Sequence, residues 1–157
     1  MKNIIKIGIS ILVMLTFFAC EKQDPFVDRI ISPLLITITG SDGIPSSGLT
    51  TEPSVTALIG IDAKVSLRFL ELNKAGLLDY KVGIDSIPAK GITIAYKLRN
   101  GTKIKDIQTN EKGIAVFEST WTSLGIAAPK AGSSVKLTAT GTYKDVTFSK
   151  YFTITGK

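Results

Sequence analysis

Between residues 92 and 99 the chain alternates strictly. Ile92, Ile94, Tyr96 and Leu98 take one face, while Thr93, Ala95, Lys97 and Arg99 take the other. A period of two builds a strand with one buried and one wet face, and no helix shares it. Asn100-Gly101 follows at once. That pair supplies the two positive-φ residues of a type I′ turn, so residues 103–109 are expected to pair back as a hairpin.

The same pattern recurs along the chain. Residues 34–39 and 54–61 read as short strands, separated by a Gly/Ser/Thr/Pro-rich loop over 40–53. Residues 64–72 alternate through Val65, Leu67 and Phe69 and then slip phase near Leu70, where a bulge is expected. Asn73-Lys74-Ala75-Gly76 reads as a turn, and Thr109-Asn110-Glu111-Lys112-Gly113 turns into the strand Ile114-Ala115-Val116-Phe117. Val135, Leu137, Ala139 and Tyr143 share a face, as do Val146, Phe148, Phe152 and Ile154, with Lys144-Asp145 between the two runs. No segment carries a helical period. About seven to nine short strands with turns between them predict an all-β antiparallel sandwich. Whether residues 34–61 belong to it or drape over it stays open. Edge lysines such as Lys103, Lys105 and Lys150 are expected to discourage strand addition.

The first 19 residues follow a different rule. Lys2 and Lys6 precede an uncharged run from residue 7 to 19, which is shorter than the roughly 20 residues a membrane span needs. Leu15-Thr16-Phe17-Phe18-Ala19 ends at Cys20, the only cysteine. This layout resembles the lipobox of bacterial lipoproteins, which implies cleavage before Cys20 and lipidation of its thiol. Several acyl chains hold a protein stably on a membrane, at about 0.8 kcal/mol per buried methylene. Glu21-Lys22-Gln23-Asp24 resembles the surface-export tether of lipoproteins in the Bacteroidetes group, and it reads equally as a plain soluble spacer. The expected organisation is a signal over 1–19, a lipidated cysteine and flexible tether over 20–33, and the sandwich over 34–157. The implied place is the cell envelope, anchored in the outer membrane, with the face undecided.

Composition narrows the chemistry. Removing residues 1–19 from the 157 leaves 138, enough for one domain. Lys2 and Lys6 go with the signal, so 17 basic residues face 13 acidic ones, a net charge of +4. The basic residues are scattered rather than striped, so no nucleic-acid partner is expected. With Cys20 alone, no intramolecular disulfide can form. The chain has no histidine, which excludes a Ser-His-Asp or Cys-His nucleophile and removes the commonest transition-metal ligand. No cofactor and no metal are expected.

The stretch from Lys64 to Thr155 resembles the bacterial Ig-like domains of invasin- and intimin-type proteins. The matching pieces are Pro88-Ala89-Lys90-Gly91-Ile92-Thr93-Ile94, Asn100-Gly101, the run Thr109 to Phe117, and Val135-Lys136-Leu137-Thr138-Ala139. The resemblance implies an Ig-like sandwich that serves as a spacer, stalk or binding module, and it supplies no catalytic residues. That family occurs in tandem copies, whereas this chain shows a single copy.

Few residues stand out as candidate sites. Trp121, in Ser119-Thr120-Trp121-Thr122-Ser123, is either an exposed platform for a sugar or protein partner or a loop cap packed on the core, and the cap is preferred. Asp85-Ser86-Ile87 resembles the Bacteroidetes O-glycosylation sequon, which makes Ser86 a candidate modification site against a plain turn. Asn100-Gly101-Thr102 matches an N-glycan acceptor, but the hairpin explains it. Asp42, Asp62, Asp79, Asp85 and Asp145 read as solvated turn carboxylates rather than calcium ligands. Three functions follow, in order: a non-catalytic binding or adhesion module with a protein or glycan ligand, a structural subunit of an outer-membrane or surface assembly, and a carboxylate-dependent hydrolase.

Overall fold

The computed structural model describes residues 32–48 and 51–157. The signal segment, Cys20 and the tether up to residue 31 lie outside the described residues. The described chain is an all-β sandwich of ten strands in two sheets. The strands are β1 (Leu35–Thr39), β2 (Pro45–Ser46), β3 (Ser54–Ala57), β4 (Ala63–Asn73), β5 (Asp85–Pro88), β6 (Thr93–Leu98), β7 (Lys103–Gln108), β8 (Ile114–Ser119), β9 (Ser134–Tyr143) and β10 (Val146–Gly156). The count exceeds the expected seven to nine because two short strands form inside segments that read as loops. Pro45–Ser46 turns back onto β1, and Asp85–Pro88 pairs with the end of β4.

One sheet runs β2-β1-β4 and then splits. The far side of β4 pairs with β8 over Ala63–Arg68 and with β5 over Leu70–Asn73. Phe69 is the changeover. Its N–H donates to the Gly113 carbonyl at 2.8 Å, and its carbonyl accepts from Ala89 N at 3.0 Å. The expected bulge at Leu70 is absent: β1 and β4 stay in register from Leu35↔Leu70 to Thr39↔Ser66. Leu70 keeps the alternate phase and is buried on the outer face of the sheet, outside the core cluster. Its hydrophobicity mimics a slip where there is none.

The second sheet runs β3-β10-β9-β6-β7. Its long β9–β10 hairpin closes on Lys144 and Asp145, with φ of 48° and 63°. This is the type I′ geometry expected of Asn100-Gly101. At Asn100-Gly101 only Gly101 takes a positive φ, 95°, and Gly101 N donates to Leu98 O at 2.9 Å. That hairpin is a type I turn followed by a glycine bulge, and a second irregularity shifts the β6–β7 register between Tyr96 and Lys97, where Ile104 is the extra residue. The β3–β10 pair is parallel, from Ser54↔Thr153 to Ala57↔Gly156, so the sandwich is not wholly antiparallel.

The inner faces supply the core: Ile36 and Ile38 from β1, Val65, Leu67 and Phe69 from β4, and Ile94 and Tyr96 from β6. Phe117 from β8, Leu137 from β9, and Phe152 and Ile154 from β10 complete it. Strands β1 and β3, within the segment left open by the sequence, are integral to the sandwich, since Ile36, Ile38, Val55 and Ala57 lie in that core. Tyr96 stacks on Phe117 across the two sheets at 4.7 Å, yet its hydroxyl is buried with no hydrogen-bond partner among the described residues. Burial pushes its phenol pKa far up. An orphaned buried hydroxyl costs about 1–3 kcal/mol. Tyr96→Phe keeps the ring and removes that cost, so its urea midpoint is expected to rise by the equivalent of about 1 kcal/mol at unchanged slope. A lower midpoint would show that the hydroxyl is satisfied in solution.

The run Thr109 to Phe117 has a structural explanation. Thr109, the one buried polar residue of the described chain, donates its hydroxyl to Ala89 O at 2.8 Å and accepts from Ile92 N at 3.0 Å. It thereby satisfies the crossing from β5 to β6, which has no ladder of its own there. Asn110 Oδ1 accepts from Lys112 N and Ile114 N, closing the turn before β8.

Candidate functional site

The strand register gives the sandwich two distinct ends. At one, the chain enters at Ser32 and runs into β1 opposite the last turns of β4, and the β9–β10 hairpin lies alongside. At the other lie the turn after β1, the β6–β7 hairpin and the loop that carries Trp121. Ser41 N donates to Thr56 O at 2.7 Å there, and Trp121 Nε1 donates to Leu58 O at 3.0 Å. We call these the near and far ends.

The near end is tied across the sheets by one carboxylate. Glu71 on β4 accepts from the Tyr143 hydroxyl and from Lys144 Nζ, both at 2.6 Å. The Lys144 and Tyr143 hydrogen bonds hold the Glu71 carboxyl below its ordinary range, and the same bonds raise Lys144 and Tyr143. A lowered carboxyl contributes stability that is complete above its unfolded pKa and is lost as pH falls through the folded value. The raised Lys144 and Tyr143 contribute stability that is present below their unfolded pKa values and is lost as pH climbs through the folded ones. Unfolding midpoints against pH should therefore fall on the acid side through the Glu71 titration, and Glu71→Gln should flatten that limb. An unchanged acid limb in the variant would remove Glu71 from the linkage.

The outer face of the second sheet carries a polar aromatic corner that runs from Tyr151, midway along β10, toward the far end at Arg99. Arg99, just past β6, donates Nη2 to Glu52 Oε1 at 2.6 Å and lies over the Tyr151 ring at 4.3 Å. Thr153 Oγ1 donates to the same Glu52 oxygen at 3.3 Å. Arg99 holds the Glu52 carboxyl below its ordinary range. Tyr151 is 49% exposed and contributes an aromatic edge beside a guanidinium, a carboxylate and the neighbouring Thr138. Such a mixture of ring and hydrogen-bonding groups is what a sugar or a protein anchor can use. The ion pair itself is half exposed and is worth at most about 1 kcal/mol. Its value is in fixing the Arg99 and Tyr151 orientations rather than in stability.

Trp121 is not part of this surface. It is 4% exposed, belongs to the core cluster, and caps the far end through its hydrogen bond to Leu58. The indole is spent on the fold and is not a platform. Within the loop over 40–53, residues 49 and 50 lie outside the described residues. Its described part includes β2 and contributes Glu52 to the corner. Ser86 is exposed, but on strand β5 opposite Leu72 rather than in a turn. Asp85 Oδ1 accepts from Ser86 N at 2.8 Å. Asp42 and Asp79 likewise accept backbone N–H groups of their own turns. No group of three or more metal-ligating side chains occurs among the described residues.

Lys103 pairs with Asp106 on the edge strand β7, and Lys105 donates to Glu118 O. Lys150 lies differently from expectation. It occupies an inward-phase position of β10, beyond the stretch covered by β3, and reaches the Ser47 carbonyl. Burial lowers its pKa. An inward lysine on an open strand segment is itself a guard against added strands.

The outer face of the first sheet holds a shallow groove of about 360 Å³, lined by Thr37, Thr39, Ser66, Arg68, Leu70 and Ile114 among others. The sequence offered no sign of the groove or of the corner at Glu52, Arg99 and Tyr151, because their residues are far apart along the chain. No protein-family model, no curated protein and no solved structure matches this chain.

Proposed function

We propose that this chain is a lipid-anchored cell-envelope protein whose sandwich is a non-catalytic, Ig-like binding module. Cys20 carries the lipid in this reading, and the outer membrane is the anchoring surface. The polarity of the sandwich is the observation that carries it. The chain enters at the near end, so a tether there directs the far end away from the anchor and leaves the corner of Glu52, Arg99 and Tyr151, which runs from mid-sheet toward that end on the outer face, open to solvent. Loops and rims on a rigid sandwich are where recognition commonly sits. The ligand class in this reading is a protein or glycan.

The first experiment is protease shaving of intact cells that express the full chain. Release of the domain places it on the surface, and glycan arrays and host-protein pull-downs follow with Arg99→Ala and Tyr151→Ala. Both side chains are exposed enough to be replaced without opening the core. Loss of capture with unchanged melting supports the corner as the binding surface, and unchanged capture removes it. Protection from protease points to the periplasm and ends the adhesin reading. The alternative, a structural subunit of an outer-membrane or surface assembly, is favoured by the apolar side chains that the domain leaves in solvent at its near end. Co-purification of a fixed-stoichiometry partner after cross-linking would select it.

A further inference from the structure

The exposed apolar residues of this domain are not scattered. Of the eleven large hydrophobic side chains exposed among the described residues, six fall between residues 77 and 87: Leu77, Leu78, Tyr80, Val82, Ile84 and Ile87. Leu78 is fully exposed and Tyr80 is 90% exposed. The β4–β5 loop that carries most of them is built by its own hydrogen bonds. Asn73 Oδ1 accepts from Ala75 N, Leu77 N donates to Lys74 O, and Asp79 N donates to Gly76 O, each at 3.0 Å. Asp79 then accepts from Lys81 N through its side chain at 2.9 Å, and from Val82 N and Gly83 N through its carbonyl. Those backbone groups are satisfied within the loop. Outward it presents hydrocarbon and one phenol, interspersed with the exposed Lys74, Asp79 and Lys81. A concentrated patch of that kind on a soluble domain marks a partner.

Position selects the partner. The pairs Leu35↔Leu70 and Asn73↔Asp85 put the loop at the near end, beside the place where the chain enters. From Cys20 to Ser32 the chain spans at most about 43 Å when fully extended. An acyl group on Cys20 therefore keeps this end within that distance of the bilayer. Lys74 and Lys81 are balanced by Asp79 and Asp85, so the attraction offered is apolar rather than ionic. Tyrosine and leucine suit the membrane interface, with lysine stems lying along the apolar surface and their heads in water.

We infer that the β4–β5 loop docks on the lipid bilayer, inserting Leu77, Leu78 and Tyr80 into the leaflet that holds the acyl chains of Cys20. The choice of leaflet rests on the lipid-anchor reading above. Docking adds a second hold on the membrane and fixes the orientation that a flexible tether alone leaves free.

The test uses the full chain isolated from membranes and reconstituted in zwitterionic phosphatidylcholine vesicles that contain brominated acyl chains. Leu78→Trp introduces an indole at a fully exposed position, and buried Trp121 serves as the internal reference. The introduced indole is expected to shift to the blue and to lose about half its emission to bromines at interfacial depth, about 5–10 Å below the headgroups. Trp121 should be unaffected, and neither signal should depend on salt. The same variant with Cys20→Ser separates the two readings. If it leaves the vesicles, the lipid anchor stands. If it stays bound with its indole quenched, the loop alone is a sufficient hold and docking stands. A vesicle-bound chain with an unquenched indole overturns docking and leaves the anchor intact. An indole already blue-shifted without vesicles overturns docking in favour of a second copy of the chain, and failure of both chains to bind vesicles overturns both readings.

Discussion

Trp121→Ala is expected to cost about 4 kcal/mol of folding stability, the largest effect predicted for this protein. The indole is nearly buried in the core and its Nε1 donates to Leu58 O, so truncation leaves a cavity and an unpaired carbonyl together. A domain of this size has only about 5–15 kcal/mol in total. The melting temperature should drop by roughly 15 °C, measured by circular dichroism or calorimetry. Trp121→Phe keeps most of the buried surface and should lose about 1 kcal/mol for the hydrogen bond. If Trp121→Ala instead melted like the parent while losing a ligand, the cap reading would be wrong and the residue would be a contact after all. This is why Arg99→Ala and Tyr151→Ala, not Trp121→Ala, are the variants that test binding.

Gly113→Ala comes second, at about 3 kcal/mol. Gly113 has φ of +70°, and an added Cβ would lie 2.5 Å from the Phe69 carbonyl oxygen. A left-handed conformation costs a non-glycine residue about 1–2 kcal/mol, and a backbone clash of this kind adds about 1–3 kcal/mol. Relief is blocked, because Phe69 N donates to the Gly113 carbonyl and Gly113 N donates to Asn110 O. The site is also where β4 exchanges one partner strand for another, so a shift there loosens both β5 and β8. Gly101→Ala is the control. Gly101 also has a positive φ, 95°, but nothing lies within 4 Å of its added Cβ. Its cost should stay near about 1 kcal/mol. Chemical denaturation of the two variants side by side checks this, and equal losses would mean that φ alone matters at Gly113.

The resemblance to Ig-like domains was carried by short pieces, and those pieces have physical work in this fold. Thr109 bonds the β5–β6 crossing, Asn110 closes the turn, Gly113 fits under Phe69, and Ala115 is buried where β8 packs. These are local needs of this sandwich at the β5–β6 crossing and the turn before β8, and they account for the residue types there without reference to any family.

Alternation was legible because a strand's side chains obey a local rule. Ile94 and Tyr96 are fully buried as their period required, and the β9–β10 hairpin pairs through ten residue pairs around Lys144-Asp145. Turn type was less so. Lys144-Asp145 adopts the geometry that Asn100-Gly101 had promised, since strand register, held by whole ladders, outweighs the preference of two residues. Leu70 misled for the same reason: its hydrophobicity is local, but the ladder to β1 fixes its phase. The sequence by itself determined an all-β chain, its strand periods and most of its turns, because those depend on neighbours in the chain. Only the tertiary structure decided the parallel β3–β10 pair, the shared edge of β4, the burial of Trp121 and the meeting of Glu52, Arg99 and Tyr151. Each of these brings together residues distant in sequence, and their closeness is set by how two sheets close over one core rather than by any local preference.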